Sequence, residues 1–469
     1  MWLSSLLAVG LAASCCYCQL NLTCSSSDYA CIENRTRADQ ALLELPNFVT
    51  YPIQSDPFYA TPANISQAKP GQILKLESAS NLSNYDIPPG QSLSRIMYAS
   101  VDNFGAIVPA TGAILWPFTP KSFNGSTTYP LVAWAHGTSG IDRQCAVSNL
   151  RNLQYDFRSV FTLASSGYAV VIADYVGLGS DQFFNYLAYK LHANDVVYSV
   201  VAAQSVFPQL SKQWVSFGHS EGGGVAWAIG ERQAFSPIPG FLGTIAAAPP
   251  PFPIASTAPV GNSVFTAFLS FTISHLYGLN LSTIFNPVPL QALQLVQSIG
   301  GCNDVGYAAF ATFNATDIYS NTSWPLSEPA VEFLDNYSVS GRPLGGPMLI
   351  LQGSADTVVG TTGAVIGFNA TCAVNTNASI QYTWVNGQDH NPSMYASQRL
   401  WLQWIEDRFN NVPLEVGCTT TNLSSAFESV QLAERFVVEY TKPWITIFTS
   451  TFLPSYLWPY DLGFAQVQN

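Results

Sequence analysis

The sequence predicts an α/β fold, a mostly parallel sheet with helices on both faces and an inserted, mainly helical cap or lid. Three observations carry this. First, short apolar runs alternate with helix-like stretches, the pattern of repeated strand and helix units: Tyr129 to Ala135, Tyr168 to Ala173, Trp214 to Phe217, Phe241 to Ala247, Met348 to Gln352 and Ile380 to Val385. Second, Gly218-His-Ser220-Glu-Gly222 stands between a strand-like run and a helix-like one, where a sharp turn would present a serine at the carboxyl end of a strand. Only glycine-sized neighbours two positions away leave room for such a turn. Third, residues 249–346 open with Pro249, Pro250, Pro251 and Pro253 and become apolar and helical, as over Leu290 to Ile299. Such a segment between two strands reads as an insertion rather than as ordinary core helices.

In chain order, residues 1–18 form a short apolar run ending in small residues, as in a secretory signal peptide, although no Lys or Arg precedes it. Cleavage is expected after Cys18, with Ala13 and Ser14 as alternatives, and the run is short for a membrane anchor. Residues 19–100, rich in Pro, Ser and Asn, are expected to wrap a core built downstream, with regular structure starting after them. Residues 101–248 and 347–410 form the two parts of that core, and 411–469 form an extension, aromatic-rich from Phe436 onward. Its end is too broken by prolines and polar residues to span a membrane, and it lacks the spacer and apolar tail of a lipid-anchor signal.

Composition narrows the function classes. Charged residues make up 10% of the chain, hydrophobic residues 48%, and the net charge is −12. The 17 Lys and Arg do not cluster, so neither nucleic acid nor an anionic membrane surface is an expected partner. Asn21, Asn34, Asn64, Asn81, Asn124, Asn280, Asn314, Asn321, Asn336, Asn369, Asn377 and Asn422 all lie in Asn-x-Ser/Thr, and glycans there would supply solubility that charge does not. Of the nine cysteines, Cys24, Cys31, Cys145, Cys302, Cys372 and Cys418 remain after the leader, an even number that suits an oxidising, extracellular compartment. Sequence alone leaves their pairing open, with Cys24 and Cys31 the nearest couple. No metal or cofactor is expected, because the histidines are scattered and neither Cys-x-x-Cys, His-Glu-x-x-His nor a dinucleotide fingerprint occurs.

A serine hydroxyl becomes a nucleophile only beside a base, and on this kind of sheet the chain order is serine, acid, histidine. Of His136, His192, His219, His275 and His390, the first three precede Ser220 and His275 precedes any late acid, which leaves His390 as the base. The acid is expected at Asp356, which follows the apolar run Met348-Leu-Ile-Leu-Gln-Gly, in preference to Asp389, whose adjacency to His390 seldom aligns for the required bond. The interval from Asp356 to His390 suits one helix and one strand. A developing oxyanion needs backbone donors. One is expected from Glu221, the other from Thr138 in the turn Ala135-His-Gly-Thr-Ser-Gly140, with Gly137 and Ser139 as alternatives. His136 reads as structural, Asp174 as a carboxylate that fixes a loop, and the Glu221 side chain as facing solvent.

Together, Ala135-His-Gly-Thr-Ser-Gly140 with Cys145, Ala173-Asp-Tyr-Val-Gly-Leu-Gly-Ser180, Gly218-His-Ser-Glu-Gly-Gly-Gly224, Gln352-Gly-Ser-Ala-Asp356 and His390 resemble the fungal secretory lipase family, the lipase A type of the α/β-hydrolase superfamily. The resemblance covers roughly residues 100 to 410. It implies Ser220, Asp356 and His390 as a catalytic triad, the segment after Pro249 as a lid, and disulfides Cys145 to Cys302 and Cys372 to Cys418, leaving Cys24 for Cys31. The expectation is a secreted serine carboxylic-ester hydrolase acting on lipid esters, with a lipid–water interface as a further partner. The alternatives are a short-chain esterase, a secreted serine peptidase of the same fold, and a non-catalytic binding protein.

Overall fold

The computed structural model of the protein describes residues 24–123, 125–154, 157–253 and 263–425. Residues 1–18, Asn21, Asn124 and the aromatic stretch from Phe436 lie outside them. The strands are β1 (Ile73–Glu77), β2 (Ser92–Val101), β3 (Ile107–Trp116), β4 (Tyr129–Ala135), β5 (Ala169–Ala173), β6 (Leu210–His219), β7 (Phe241–Ala247), β8 (Met348–Gly353), β9 (Ser379–Val385) and β10 (Gly417–Leu423). The α-helices are α1 (Tyr29–Asp39), α2 (Phe157–Ser165), α3 (Tyr189–Val206), α4 (Glu221–Phe235), α5 (Ser263–Tyr277), α6 (Pro287–Ser298), α7 (Asn303–Phe310), α8 (Ala315–Ile318), α9 (Glu328–Tyr337), α10 (Thr361–Val374), α11 (His390–Ala396) and α12 (Gln398–Phe409).

All ten strands join one sheet in the order β1-β2-β3-β5-β4-β6-β7-β8-β9-β10. From β5 to β10 every neighbouring pair is parallel, while β1, β2 and β3 form an antiparallel edge. Helices cover both faces. Leu131, Ala133 and Ala135 of β4 pack with Val196 of α3 and Val225 and Ile229 of α4. On the other face Val132 and Trp134 pack with Phe161 of α2 and Trp401 and Ile405 of α12. Burial on both sides is why these strands read in the sequence as unbroken apolar runs.

The sheet is wider than the sequence indicates. Segment 19–100 does more than wrap the core: it supplies β1 and β2, and β3 follows it. Strand β2 escapes a hydrophobicity reading because buried Ser94, Arg95 and Ser100 interrupt it. Arg95 is tolerated there by Glu77 at 2.6 Å and Asp56 at 2.8 Å. The extension 411–469 likewise begins with a strand, β10, whose threonine-rich stretch carries no apolar signal. It pairs in parallel with β9 and is fastened to α10 by the disulfide Cys372–Cys418. Elsewhere in the N-terminal segment, Glu44 accepts the N–H groups of Cys302 and Val305 in the stretch between β7 and β8, each at 2.8 Å. A further disulfide, Cys24–Cys31, closes its start.

Helices α5 to α9 all fall between β7 and β8, so the segment after Pro249 is a helical insertion at the carboxyl edge of the sheet. Its α6 begins three residues before the expected stretch, at Pro287, whose ring is pre-set for the first turn of a helix. The disulfide Cys145–Cys302, a β-bridge between Gly140 and Cys302, and the bond from Asn303 N–H to the Ser139 carbonyl at 2.9 Å fasten the insertion to the turn that follows β4.

Candidate active site

Adjacent strands β4 and β6 end side by side, with Ala135 paired to Gly218. The sheet order reverses at β4, and at such a switch point the carboxyl ends of the strands open a crevice. Strand β6 ends at His219 and α4 starts at Glu221, so Ser220 alone makes the turn, at φ 59° and ψ −122°. A non-glycine residue held there stores about 1–3 kcal/mol of strain. The surroundings hold it in place: Ser220 N–H donates to the Ala247 carbonyl at 2.9 Å, and its own carbonyl accepts from Gly224 N–H at 3.2 Å. The flanking glycines answer to close approach. A Cβ on Gly218 would lie 2.0 Å from the Gly222 carbonyl oxygen, and one on Gly222 would lie 1.9 Å from that of Ala135.

Asp356 and His390 follow β8 and β9, with α10 and β9 between them. His390 Nδ1–H donates to Asp356 Oδ2 at 2.8 Å, and Gln352 Nε2 donates to the same oxygen at 2.9 Å. The other oxygen, Oδ1, accepts from the N–H groups of Val358 and Val359 at 2.9 and 2.8 Å. Burial raises the pKa of Asp356, but the His390 charge and these donors outweigh it and leave the carboxyl below its usual value. Asp389 has different work: it accepts from the backbone N–H of His390 at the start of α11 and from Thr357. The His390 ring lies 4.6 Å from the ring of His219, the residue before Ser220, which brings histidine, acid and serine to one edge of the sheet.

A small cleft opens over Ser220. Thr138 and Glu221 border it, with Tyr186, Leu187, Phe265 and Val359 completing most of an apolar wall. Of the turn residues weighed from the sequence, Thr138 reaches the cleft. The carbonyl of Gly137 is held by Gln154 Nε2 at 2.9 Å, and that of Ser139 by Asn303. His136 is buried, its Nδ1–H donates to the Gly137 carbonyl at 2.7 Å, and its ring stacks on Tyr175 at 4.2 Å. Asp174 is buried too, and anchors the neighbouring loops by accepting from Thr111 Oγ1 at 2.7 Å and from Ser148 N–H at 2.8 Å.

One expectation fails. The Glu221 side chain does not face solvent; it is 1% exposed and turned into the protein beside the cleft. The sequence offered no sign of this, because a glutamate at the start of a helix ordinarily suits solvent and the helix dipole. Gln352, Tyr186 and Leu187 were also missed. Gln352 ends the apolar run Met348 to Gln352 and reads there only as the last residue of a strand, and the other two belong to a loop without a motif. Among the described residues no group of three or more His, Cys, Asp or Glu is placed to hold a metal ion, and no helix is long and apolar enough to cross a membrane.

Comparisons with known proteins meet this geometry at the level of fold and overall likeness. No family model matches the chain. Lipase 10 of Candida albicans is 22% identical over 413 residues, covering 80% of this chain and 85% of that protein. Among solved structures, lipase A of Candida antarctica in its closed state superposes with a TM-score of 0.66 at 16% identity, over 81% of this chain and 92% of the other. The rice cell wall degrading esterase LipA of Xanthomonas oryzae gives a TM-score of 0.58 at 18% identity, over 72% and 96%. The likeness is one of fold: a large, mostly parallel sheet with helices on both faces, as the sequence predicts, is shared with these lipase and esterase structures.

Proposed function

We propose, starting from this shared fold, that the protein is a serine hydrolase that cleaves carboxylic esters through an acyl-enzyme, with lipid esters as its substrates. The observation that carries the reading is the 2.8 Å bond from His390 to Asp356 at the sheet edge where the strained Ser220 turn stands. Ser220 Oγ attacks the ester carbonyl while His390 Nε2 takes its proton. Asp356 holds the imidazole in the tautomer whose Nε2 is the proton acceptor, and stabilises the imidazolium that follows. The amides of Glu221 and Thr138 receive the oxyanion, each good donor being worth about 3–4 kcal/mol of barrier. His390 then returns the proton to the departing alcohol, and water repeats the sequence on the acyl-enzyme. No cofactor enters these steps.

Lipid esters are favoured over peptides by the cleft wall. Its lining of Tyr186, Leu187, Pro250, Phe265, Val358 and Val359 offers apolar surface to an acyl chain. A peptidase that grips a chain terminus would need a fixed charge there, and Glu221, the ionisable acid of the lining, has its charge disfavoured by burial. Export and glycosylation belong to the same proposal. Each described acceptor, Asn34, Asn64, Asn81, Asn280, Asn314, Asn321, Asn336, Asn369, Asn377 and Asn422, is exposed, and the three disulfides suit an oxidising compartment.

The deciding experiment is hydrolysis of p-nitrophenyl esters from acetate to palmitate by the wild type and Ser220→Ala, below and above each ester's solubility limit. Rates that depend on Ser220 and rise with chain length above that limit establish a lipase. Preference for short chains with no rise at the limit makes the protein a general esterase, and turnover indifferent to Ser220 sinks the reading.

A further inference from the structure

The ester chemistry uses the backbone amide of Glu221 and asks nothing of its side chain, yet that side chain is buried at the cleft. An ionised group taken out of water costs several kcal/mol unless it is paired, so its neighbours matter. Oε1 accepts the N–H of Leu187 at 3.4 Å, while Oε2 makes no hydrogen bond. The Thr138 hydroxyl shares the cleft wall with this carboxyl and lies 2.8 Å from the phenol oxygen of Tyr186. Leu187 stands at φ 61°, so the loop before α3 is held in a conformation it would not choose unaided. Three segments therefore meet at one carboxyl: the first turn of α4, the turn after β4, and the loop before α3.

We infer that the Glu221 side chain is a positioning residue for ester cleavage, tying the first turn of α4 to Leu187 and Thr138 and so fixing the two amides that receive the oxyanion. The inference rests on the reading of Ser220 as nucleophile. Burial pushes the carboxyl up to about 8, against the Leu187 N–H and the Thr138 hydroxyl, which favour the charged form. In the acid form one oxygen accepts from Leu187 and the buried group carries no charge. In the charged form a carboxylate stands beside the place where the oxyanion develops, and the repulsion raises the barrier.

The groups around Glu221 allow the two states to be told apart. Tyr186, from the loop before α3, and Tyr189, from α3, feel its charge, and burial drives both phenols well above their usual value, so they stay neutral through this window. The remaining cleft residues, Thr138, Pro250, Phe265, Val358 and Val359, carry no charge. His390, beyond Ser220, must be neutral to act as base and so produces the acid limb of the rate profile. The alkaline limb belongs to Glu221.

The test is the pH profile of kcat and KM for a soluble short-chain p-nitrophenyl ester, with the active fraction counted by a serine-directed phosphonate, for wild type, Glu221→Gln and Thr138→Val. The wild type should lose kcat about tenfold per pH unit above about 8, with KM little changed. Glu221→Gln, which cannot ionise, should lack that fall. Thr138→Val removes a group that favours the charged form, so its fall should begin at higher pH. An alkaline fall in Glu221→Gln that matches the wild type, at full active fraction, overturns the inference while leaving the ester reading intact. Should Glu221→Gln not fold, a flat wild-type kcat up to about pH 10, or an unmoved midpoint in Thr138→Val, overturns it. A wild type that neither cleaves esters nor takes the phosphonate removes both readings together.

Discussion

Ser220 and Asp356 illustrate two ways in which tertiary structure equips a side chain. Ser220 is held in a strained conformation by the Ala247 carbonyl and by the space that Gly218 and Gly222 leave. Asp356 is held as a carboxylate by four donors, from His390, Gln352, Val358 and Val359. Replacing Asp356 with Asn should keep the shape of the site but favour the wrong imidazole tautomer, and kcat should fall by about 10⁴ in steady-state ester hydrolysis. Asp389→Ala should behave differently. It removes an acceptor for the first N–H of α11, so thermal unfolding should show a loss of about 1 kcal/mol, with kcat falling far less than in Asp356→Asn. Equal losses of kcat in the two variants would refute the division of labour drawn from the geometry.

At the scale of elements, the turn after β4 is set by two neighbours. Helix α4 presses on it closely enough that a Cβ at Gly222 would lie 1.9 Å from the Ala135 carbonyl oxygen, and backbone cannot give way there as a flexible side chain could. Gly222→Ala should therefore disrupt the turn, seen as loss of both phosphonate labelling and thermal stability. The helical insertion presses from the other side, through Cys145–Cys302 and the Asn303 to Ser139 bond. Removing this disulfide as Cys145→Ala with Cys302→Ala should cost about 2–5 kcal/mol of stability, since it closes a long loop. Because it also frees the turn that carries Thr138, kcat should fall more than KM rises. A variant that loses only stability would show that the hydrogen bonds suffice to hold the turn.

For the whole molecule, burial of acids makes stability depend on pH in a definite direction. Burial raises Glu221 to about 8 and Asp195 to about 7, both above the values the unfolded chain would have. The folded state thus binds more protons, and their contribution to stability is full below the unfolded carboxyl values and is lost progressively as pH rises from there through the folded values. Asp356, lowered, acts in the opposite sense and withdraws its contribution as pH falls through its folded value. The melting temperature should be higher near pH 5 than near pH 9, by calorimetry at constant ionic strength. A rise towards pH 9 would contradict these carboxyl environments. A second whole-molecule expectation concerns the surface. With ten described acceptor sites all exposed, enzymatic deglycosylation of protein produced through a secretory pathway should lower its mass and, in a chain only 10% charged, its solubility.

Much of the fold was written in local pattern. Parallel strands buried on both faces must be apolar throughout, so β4, β5, β6, β7, β8 and β9 were legible as short runs. A sharp strand-to-helix turn needs small residues at fixed offsets, and five histidines left one candidate base, so the proposed grouping of Ser220, His390 and Asp356 rests on order and spacing already present in the sequence. What escaped depends on contacts between distant segments. Strand β2 hides behind a buried Arg95 that is acceptable only because Glu77 and Asp56 fold onto it, and β10 has no apolar signal because its place at the sheet edge is set by β9 and the bond to Cys372. Glu221 makes the point most sharply. Sequence determined that its amide follows Ser220, whereas the burial of its carboxyl beside Leu187 and Thr138 was decided by tertiary structure alone, because only the folded chain brings those segments together and excludes water from them.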